Sequence, residues 1–369
     1  MSQSFSLIQV IDPRYHQGKA VADMHELKLL VKTYGGVVIE ETVQHRVHPH
    51  TDTYIGPGKV EWLKEHVAQK EIDVVVLNDI VNAGQIFRLE KTLWGVNPRI
   101  SVWDRVDLIL NIFELHASSV EAKLQIELAR IQHLGPRIYG LGGTVLSRQG
   151  AGIGTKGLGE TNIELERRKI KKRKQKIEQE LQRRVKERSH AVHQRQEHGL
   201  ATAALVGYTS AGKSTVFNTL THKKKQTDAS LFTTLDTVVG KVLFDHLVKP
   251  ILLSDTIGFI ENLPPMLIKA FRSTLMESME ADILLQVVDV GDETWLKKLE
   301  VVDSILNELG ANQPRVLIFN KIDLLSDEQL HQLPQKINGR STVAVSAKTG
   351  RNIETLKQLL QEIGYDSGN

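Results

Sequence analysis

A chain of 369 residues is long enough for two or three domains that each bury a core, and 47 Lys and Arg against 44 Asp and Glu leave only a mild positive balance that does not by itself announce nucleic acid. The absence of Cys excludes disulfide scaffolds and thiolate metal sites. The N-terminus lacks a basic stretch followed by an apolar core, and no run approaches the ~18 apolar residues of a membrane span, so a cytoplasmic protein without a span is expected.

The first hundred or so residues read as a small α/β unit. Leu7 to Val10 and Gly36 to Glu40 predict strands flanking a helix with Met24, Leu27, Leu30 and Val31 at helical spacing. A second helix around Val60 to Gln69, a short strand Val74 to Leu77 and a third helix Ile86 to Leu93 follow. Tyr54 to Lys59 reads as a glycine turn into a helix N-terminus, and His45, His48 and His50 as solvated loop histidines, having no carboxylate or thiolate at ligand spacing.

From about Leu115 the chain turns to long charged helices. Val120, Leu124, Leu128 and Ile131 share one stripe; Ile163, Ile170, Ile177, Leu181, Val185 and Val192 share another, which predicts an antiparallel helical hairpin. The second helix is basic, with twelve Lys or Arg against five Glu from Glu164 to Arg188. A long basic helix suits an RNA-rich cleft, and a solvated coiled-coil face is the competing reading. Between the helices lies a glycine-rich loop, 140–161, punctuated by Arg148, Lys156 and Glu160, with Thr161 as the expected cap of the second helix. Arg148, Lys156, Arg167, Arg168, Lys171 and Lys172 are the candidate RNA contacts.

The chemistry sits further on. Gly207-Tyr208-Thr209-Ser210-Ala211-Gly212-Lys213-Ser214 reads G-x-x-x-x-G-K-S after an apolar strand, Ala203 to Val206, with Thr215 to Leu220 able to open a helix. Backbone N–H groups in such a loop curl around phosphate oxygens at the helix N-terminus; Lys213 would reach the β- and γ-phosphates and the Ser214 hydroxyl would ligate Mg²⁺. Asp255-Thr256-Ile257-Gly258 ends another apolar strand, placing Asp255 near the metal and the Gly258 N–H near a γ-phosphate. Asn320-Lys321-Ile322-Asp323 ends a third strand: a carboxylate at Asp323 can accept both the ring N–H and the exocyclic amine of guanine, a donor pair that adenine lacks. Ser346-Ala347-Lys348 can support the base edge through backbone N–H. In this order the stretches favour GTP over ATP.

These motifs, with Gly152-Ile153-Gly154-Thr155-Lys156-Gly157, Gly159-Glu160-Thr161, the Gly56-Pro57-Gly58-Lys59 turn and Asp104-Arg105, resemble the HflX family of translation GTPases over nearly the whole chain. The glycine-rich loop is the distinguishing piece. The resemblance implies binding of GTP and GDP, association with the large ribosomal subunit and its rRNA, and separation of stalled or inactive ribosomes under stress. The expected fold is α/β throughout its ends: an N-terminal α/β domain (1–114), the hairpin with its loop (115–198) and a Ras-like P-loop GTPase domain (199–366), acting as a monomer. Thr234 is the expected switch threonine, completing the Mg²⁺ shell of Ser214 and Asp255 when the γ-phosphate is present.

The chain departs from the family in several places. Ser210 stands where Asn helps related GTPases hold an activating K⁺, so K⁺ is a cofactor only if Ser210 serves in its place. Ala151, Lys156 and Leu158 replace a Gly, an Arg and a Pro, Thr237 replaces a Pro, and the end at Asn369 implies loss of a C-terminal extension. Phe259 occupies the place of a water-orienting Gln, which a phenyl ring cannot imitate, so hydrolysis is expected to be slow without a partner. The alternative is a nucleotide-gated binding module with little hydrolysis; an ATP-dependent RNA-remodelling activity is weaker, because no second phosphate loop is recognisable.

Overall fold

The computed structural model describes residues 2–14, 17–140, 158–197, 200–222, 238–244, 250–256, 258–260, 264, 267 and 279–366. The chain forms two compact units, one of Met1–Leu115 with Lys123–Leu181, the other of His116–Ala122 with Gln182–Asn369.

The first unit is built on β1 (Ser4–Ile11), β2 (Val37–His45), β3 (Val74–Leu77) and β4 (Ser101–Asp104), all parallel in the order β2-β1-β3-β4. A parallel sheet needs cover on both faces, which the crossover helices supply. Ile8, Val75, Leu77 and Val102 enter a core with Leu63 and Val67 of α2 (Pro57–Lys70) and Ile86 and Leu89 of α3 (Ala83–Leu93). Phe5 meets Tyr34 and Trp103 edge-on, each with centroids 5.7 Å away, and Tyr34 closes α1 (Gln17–Tyr34), whose Met24, Leu27, Leu30 and Val31 are buried. The predicted elements of this unit are present; β4 and α4 (Arg105–His116) are additions. Eight residues of α4 between Arg105 and Phe113 are buried, so it shows no polar face for periodicity to detect. Asp104 starts it with a capping box: its Oδ1 accepts from Asp107 N at 2.9 Å, and Asp107 Oδ2 accepts from Asp104 N at 3.2 Å.

Two long helices follow, α5 (Val120–Gly140) and α6 (Leu158–Glu197). The buried face of α5 differs from the expected stripe. Val120 is exposed and Leu124 half-buried, whereas Gln125, Ile126, Leu128 and Ala129 are buried. Ala129, too small to register in a stripe of large apolar residues, is fully buried. Ile177 is buried on α6, and Arg173 ties the helices by a bidentate pair to Glu127, both bonds 2.6 Å. Because α6 begins at Leu158, Thr161 lies inside it rather than at its cap. The loop residues up to 157, with Arg148 and Lys156, lie outside the described residues.

The second unit holds a seven-stranded sheet in the order β10-β11-β9-β8-β5-β7-β6. Its members are β5 (Thr202–Gly207), β6 (Val238–Val242), β7 (Ile251–Asp255), β8 (Ile283–Asp289), β9 (Arg315–Asn320), β10 (Lys336–Ile337) and β11 (Arg340–Ala344). The pairs β6·β7 and β10·β11 at the edges are antiparallel and the interior is parallel. Leu205, Leu253, Leu285 and Ile318 form one core with Val216, Phe217 and Leu220 of α7 (Lys213–Thr221) and Leu356 and Leu360 of α10 (Ile353–Asp366). On the other face Val288, Leu317 and Phe319 pack with Leu299 of α8 (Trp295–Glu308); α9 (Asp327–His331) is a single short turn of helix.

Candidate active site

In an open parallel sheet the loops at the carboxyl ends of the strands meet at one edge, where ligands bind. Here β5, β7 and β9 end in Gly207, Asp255 and Asn320, which brings three of the motifs together. The phosphate loop turns directly into α7, whose first N–H groups have no intrahelical acceptor. Gly212 makes this turn at φ 92°, and a Cβ there would lie 2.2 Å from Asn320 Nδ2, so the position demands glycine on both counts.

Lys213 is buried, and its Nζ donates to the carbonyls of Tyr208 (2.8 Å) and Gly207 (3.2 Å), which holds the ammonium over the loop. The Ser214 hydroxyl donates to Asp255 Oδ2 at 2.7 Å, so the two expected metal ligands are adjacent. Ser210 stands exposed on the loop at φ 60°, Ala211 and Thr209 are buried, and Thr215 lies half-buried in the first turn of α7. Thr234, the third expected Mg²⁺ ligand, lies outside the described residues.

Gly258 and Phe259 lie against the phosphate loop. Thr209 N donates to the Phe259 carbonyl at 2.7 Å and Phe259 N to the Gly207 carbonyl at 3.1 Å, a parallel bridge. A Cβ on Gly258 would lie 2.8 Å from Lys213 Nζ and 2.9 Å from Thr209 Cα, so only a glycine lets this segment pass so near the lysine. Phe259 and Ile260 are 1% and 0% exposed; the phenyl ring is a core side chain and offers no polar atom to a water. Tyr208 has the ammonium of Lys298 5.0 Å from its ring centroid. Lys298 also pairs with Asp292: burial pushes that carboxyl up, but hydrogen bonds from Lys298 and Thr294 outweigh it and hold it below its usual range.

The base-side loops are joined to the phosphate loop by Asn320. Its Nδ2 donates to the Ala211 carbonyl at 2.9 Å and its Oδ1 accepts from Ala347 N at 3.0 Å. Ser346 Oγ donates to Asp323 Oδ1 at 2.5 Å, orienting an exposed carboxylate. Lys321 has φ 68° and pairs with Asp289 at 2.6 Å, while Lys348 is exposed. Neither the tie through Asn320 nor the Asp289 pair was visible in the sequence, since the partners lie 109, 27 and 32 residues away.

The candidate RNA contacts Arg167, Arg168, Lys171 and Lys172 are all exposed on α6. Arg168 pairs with Glu164 at 2.7 Å, whereas Lys171 and Lys172 have no ion-pair partner among the described residues. No helix of those residues is long and apolar enough to cross a membrane.

Profiles of three protein families match the chain in sequence: a GTP-binding GTPase N-terminal region over 21–114, a GTP-binding GTPase middle region over 116–195 and a 50S ribosome-binding GTPase over 202–321. GTPase HflX of Caldanaerobacter subterraneus subsp. tengcongensis is 39% identical over 339 residues, covering 92% of this chain and 76% of that protein. GTPase HflX of Escherichia coli K12 is 36% identical, covering 94% and 80%, and that of Alkalihalophilus pseudofirmus 42%, covering 82% and 70%. The crystal structure of the SsGBP and GDP complex shares the fold, with a TM-score of 0.51, 24% identity and full coverage of both chains.

Proposed function

The chain belongs to the HflX family of GTPases, and from that premise we propose that it is a ribosome-associated GTPase whose nucleotide state sets its hold on the large subunit and its rRNA. It hydrolyses GTP to GDP and phosphate. Residues 1–114, 115–198 and 199–366 serve as the N-terminal, hairpin and nucleotide domains of this reading. The observation that carries it is the Asn320 tie: one side chain fixes the phosphate loop and the Ser346-Ala347 loop in register, so a guanine held at one end sets its phosphates at the other.

The residues divide the work. Asp323, oriented by Ser346, accepts the two guanine donors, with Lys321, Ala347 and Lys348 around the base. Amides from Tyr208 to Thr215 and the Lys213 ammonium hold the phosphates, and the Gly258 N–H meets the γ-phosphate. Adjacent hydroxyl and carboxylate oxygens of Ser214 and Asp255 are the hard donors Mg²⁺ prefers, with Thr234 to complete the set. When bound, the ion neutralises charge that develops on the β- and γ-oxygens. Since Phe259 is buried and apolar, this chain supplies no amide at that position to orient the attacking water, and a partner must help. Exposed Lys171 and Lys172 suit the RNA backbone, an attraction that weakens steeply with salt. Splitting of stalled ribosomes under stress, in the cytoplasm, is the role that this combination serves.

The test is GTP turnover by the purified protein with and without large ribosomal subunits, in K⁺ and in Na⁺ buffers, with Lys213→Ala as control. Strong stimulation by subunits is expected, with Lys213→Ala at background. Turnover that subunits leave unchanged would refute the ribosomal part and favour a nucleotide-gated binding module. A rate higher in K⁺ than in Na⁺ would show that Ser210 sustains cation help.

A further inference from the structure

The parallel strands of the second unit have a second edge, at their amino ends, and it carries a polar pocket of about 350 Å³. Asp303 and Asn307 of α8, Gln313, Arg315 at the start of β9, Asn338 in the β10–β11 turn and Arg340 at the start of β11 line it. Arg315 and Asn320 are the first and last residues of β9, so at ~3.3 Å per residue the pocket lies about 16 Å from the nucleotide loops along that strand.

The charges in this pocket do not balance. Asp303 is its one carboxylate, and Arg340 takes both oxygens of it, Nη1 to Oδ1 at 2.7 Å and Nη2 to Oδ2 at 2.8 Å. The buried Gln286 donates to the same Oδ1 at 3.0 Å and receives Arg340 Nη1 at 3.1 Å, which fixes the pair. Arg315 is left with a 3.5 Å contact to Asp303 Oδ1 and two neutral acceptors, Asn307 Oδ1 at 3.1 Å and the Ala311 carbonyl at 2.8 Å. A guanidinium has five N–H donors. The Nε–H of Arg315 and its second Nη1–H have no acceptor among the described residues. Burial pushes the Arg315 guanidinium down from its ordinary value, Asp303 pulls it back and Arg340 adds to the fall. A second anion is what such a group lacks.

We propose that this pocket binds a phosphate oxyanion, with Arg315 as its principal donor and Asn338 and Gln313 as neutral hydrogen-bonding walls. The open Nε–H and Nη1–H lie on opposite edges of the guanidinium plane, so each can donate one charge-assisted bond to an oxyanion oxygen, and the unbalanced positive charge strengthens both. The volume admits a phosphate with an attached sugar. Such a group arrives either as a phosphodiester of RNA or on a free phosphorylated small molecule, and both present the same oxygens. The site is separate from the phosphate loop and does not depend on GTP being hydrolysed.

The experiment uses the full chain with GDP in excess, so that added anions find the phosphate loop filled, and chloride to hold ionic strength constant. Inorganic phosphate and a twelve-nucleotide uridine RNA are titrated separately while the arginine Nε–H resonances are followed by NMR. The Arg315 signal is identified by its loss in Arg315→Gln. A saturable shift of that signal is expected with at least one probe. Phosphate alone moving it identifies a small phosphorylated ligand, and RNA moving it identifies the nucleic-acid backbone. Asn338→Asp keeps the arginine pairs intact and suits its φ of 50°, and the added charge should weaken binding about tenfold or more. A stationary Arg315 signal with both probes, or an undiminished response in Asn338→Asp, would overturn the proposal.

Discussion

Both units end a parallel sheet in polar side chains at the strand carboxyl ends, yet they use that edge in opposite ways. In the second unit the edge is kept open: the loop crest at Ser210 and the Asp323 carboxylate are exposed, and the Lys213 ammonium donates to the backbone carbonyls of the loop. In the first unit the edge is filled by its own charges. Asn78 and Asp79 follow β3, Asp104 ends β4 and Arg105 follows it, and the Arg105 guanidinium donates to Asn78 Oδ1 at 2.9 Å and pairs with Glu26. His133 of α5 lies 3.0 Å from Asp104 and 3.5 Å from Asp107. A shared strand arrangement therefore says where polar groups gather, and their composition decides whether the edge receives a ligand or only holds the unit together.

The largest expected effect breaks the closed edge. Arg105 is 4% exposed, and Arg105→Met would leave Glu26 without its buried cation and Asn78 Oδ1 without its donor. Removing one partner of such a pair costs about 3–5 kcal/mol. Denaturant unfolding should show that loss while GDP affinity stays at the parent value. A parallel fall in GDP affinity would mean that the open edge depends on the closed one.

Next in size is the open edge. Asp323→Asn puts an amide where the carboxylate accepts the Ser346 hydroxyl and, in the proposed reading, two guanine donors. Hydrogen bonds to charged groups contribute ~1.5–3 kcal/mol each, so losing one or both should weaken GDP binding about 100-fold with little change in melting temperature. Direct titration with labelled GDP measures it. Unchanged affinity would remove Asp323 from base recognition and leave the Asn320 tie as scaffolding.

The open edge was largely legible in the sequence and the closed edge was not, for reasons of distance. Gly207 to Ser214 is a contiguous segment whose chemistry follows from its own spacing, and Asp255 and Asn320 each end an apolar strand. Asp104, His133, Glu26 and Arg105 form their network across 29 and 79 residues, where no local pattern announces a contact. The helix α4 escaped because burial on nearly every side erased its stripe, and β4 because four residues with alternate burial are too few to show a period. The same limit applies at the nucleotide edge: the motif identified Asn320, but not that its amide joins two loops. Phe259 was legible as an absent amide, and the structure adds that its ring belongs to the core.

The smallest expected effect probes the charge held in the closed edge. Burial pushes the Asp79 carboxyl up from its ordinary value, bonds from Ile80 N and Tyr54 hydroxyl oppose it, Asp104 reinforces it and Arg105 opposes it. A carboxyl raised in the folded state favours folding most when protonated; that contribution is full below its unfolded pKa and is lost as pH rises through the folded one. Asn keeps an oxygen for Ile80 N, 2.7 Å from Asp79 Oδ1 in the parent, and carries no charge. Asp79→Asn should therefore gain stability relative to the parent as pH rises from the acid side through the carboxylate range, by well under about 1 kcal/mol because the residue is exposed and solvent screens its charge. Melting temperatures of both proteins across that range measure it. A difference that shrinks with rising pH would show that the ionised carboxylate is favourably paired, and the first unit would then have a settled edge in which every charge contributes to stability.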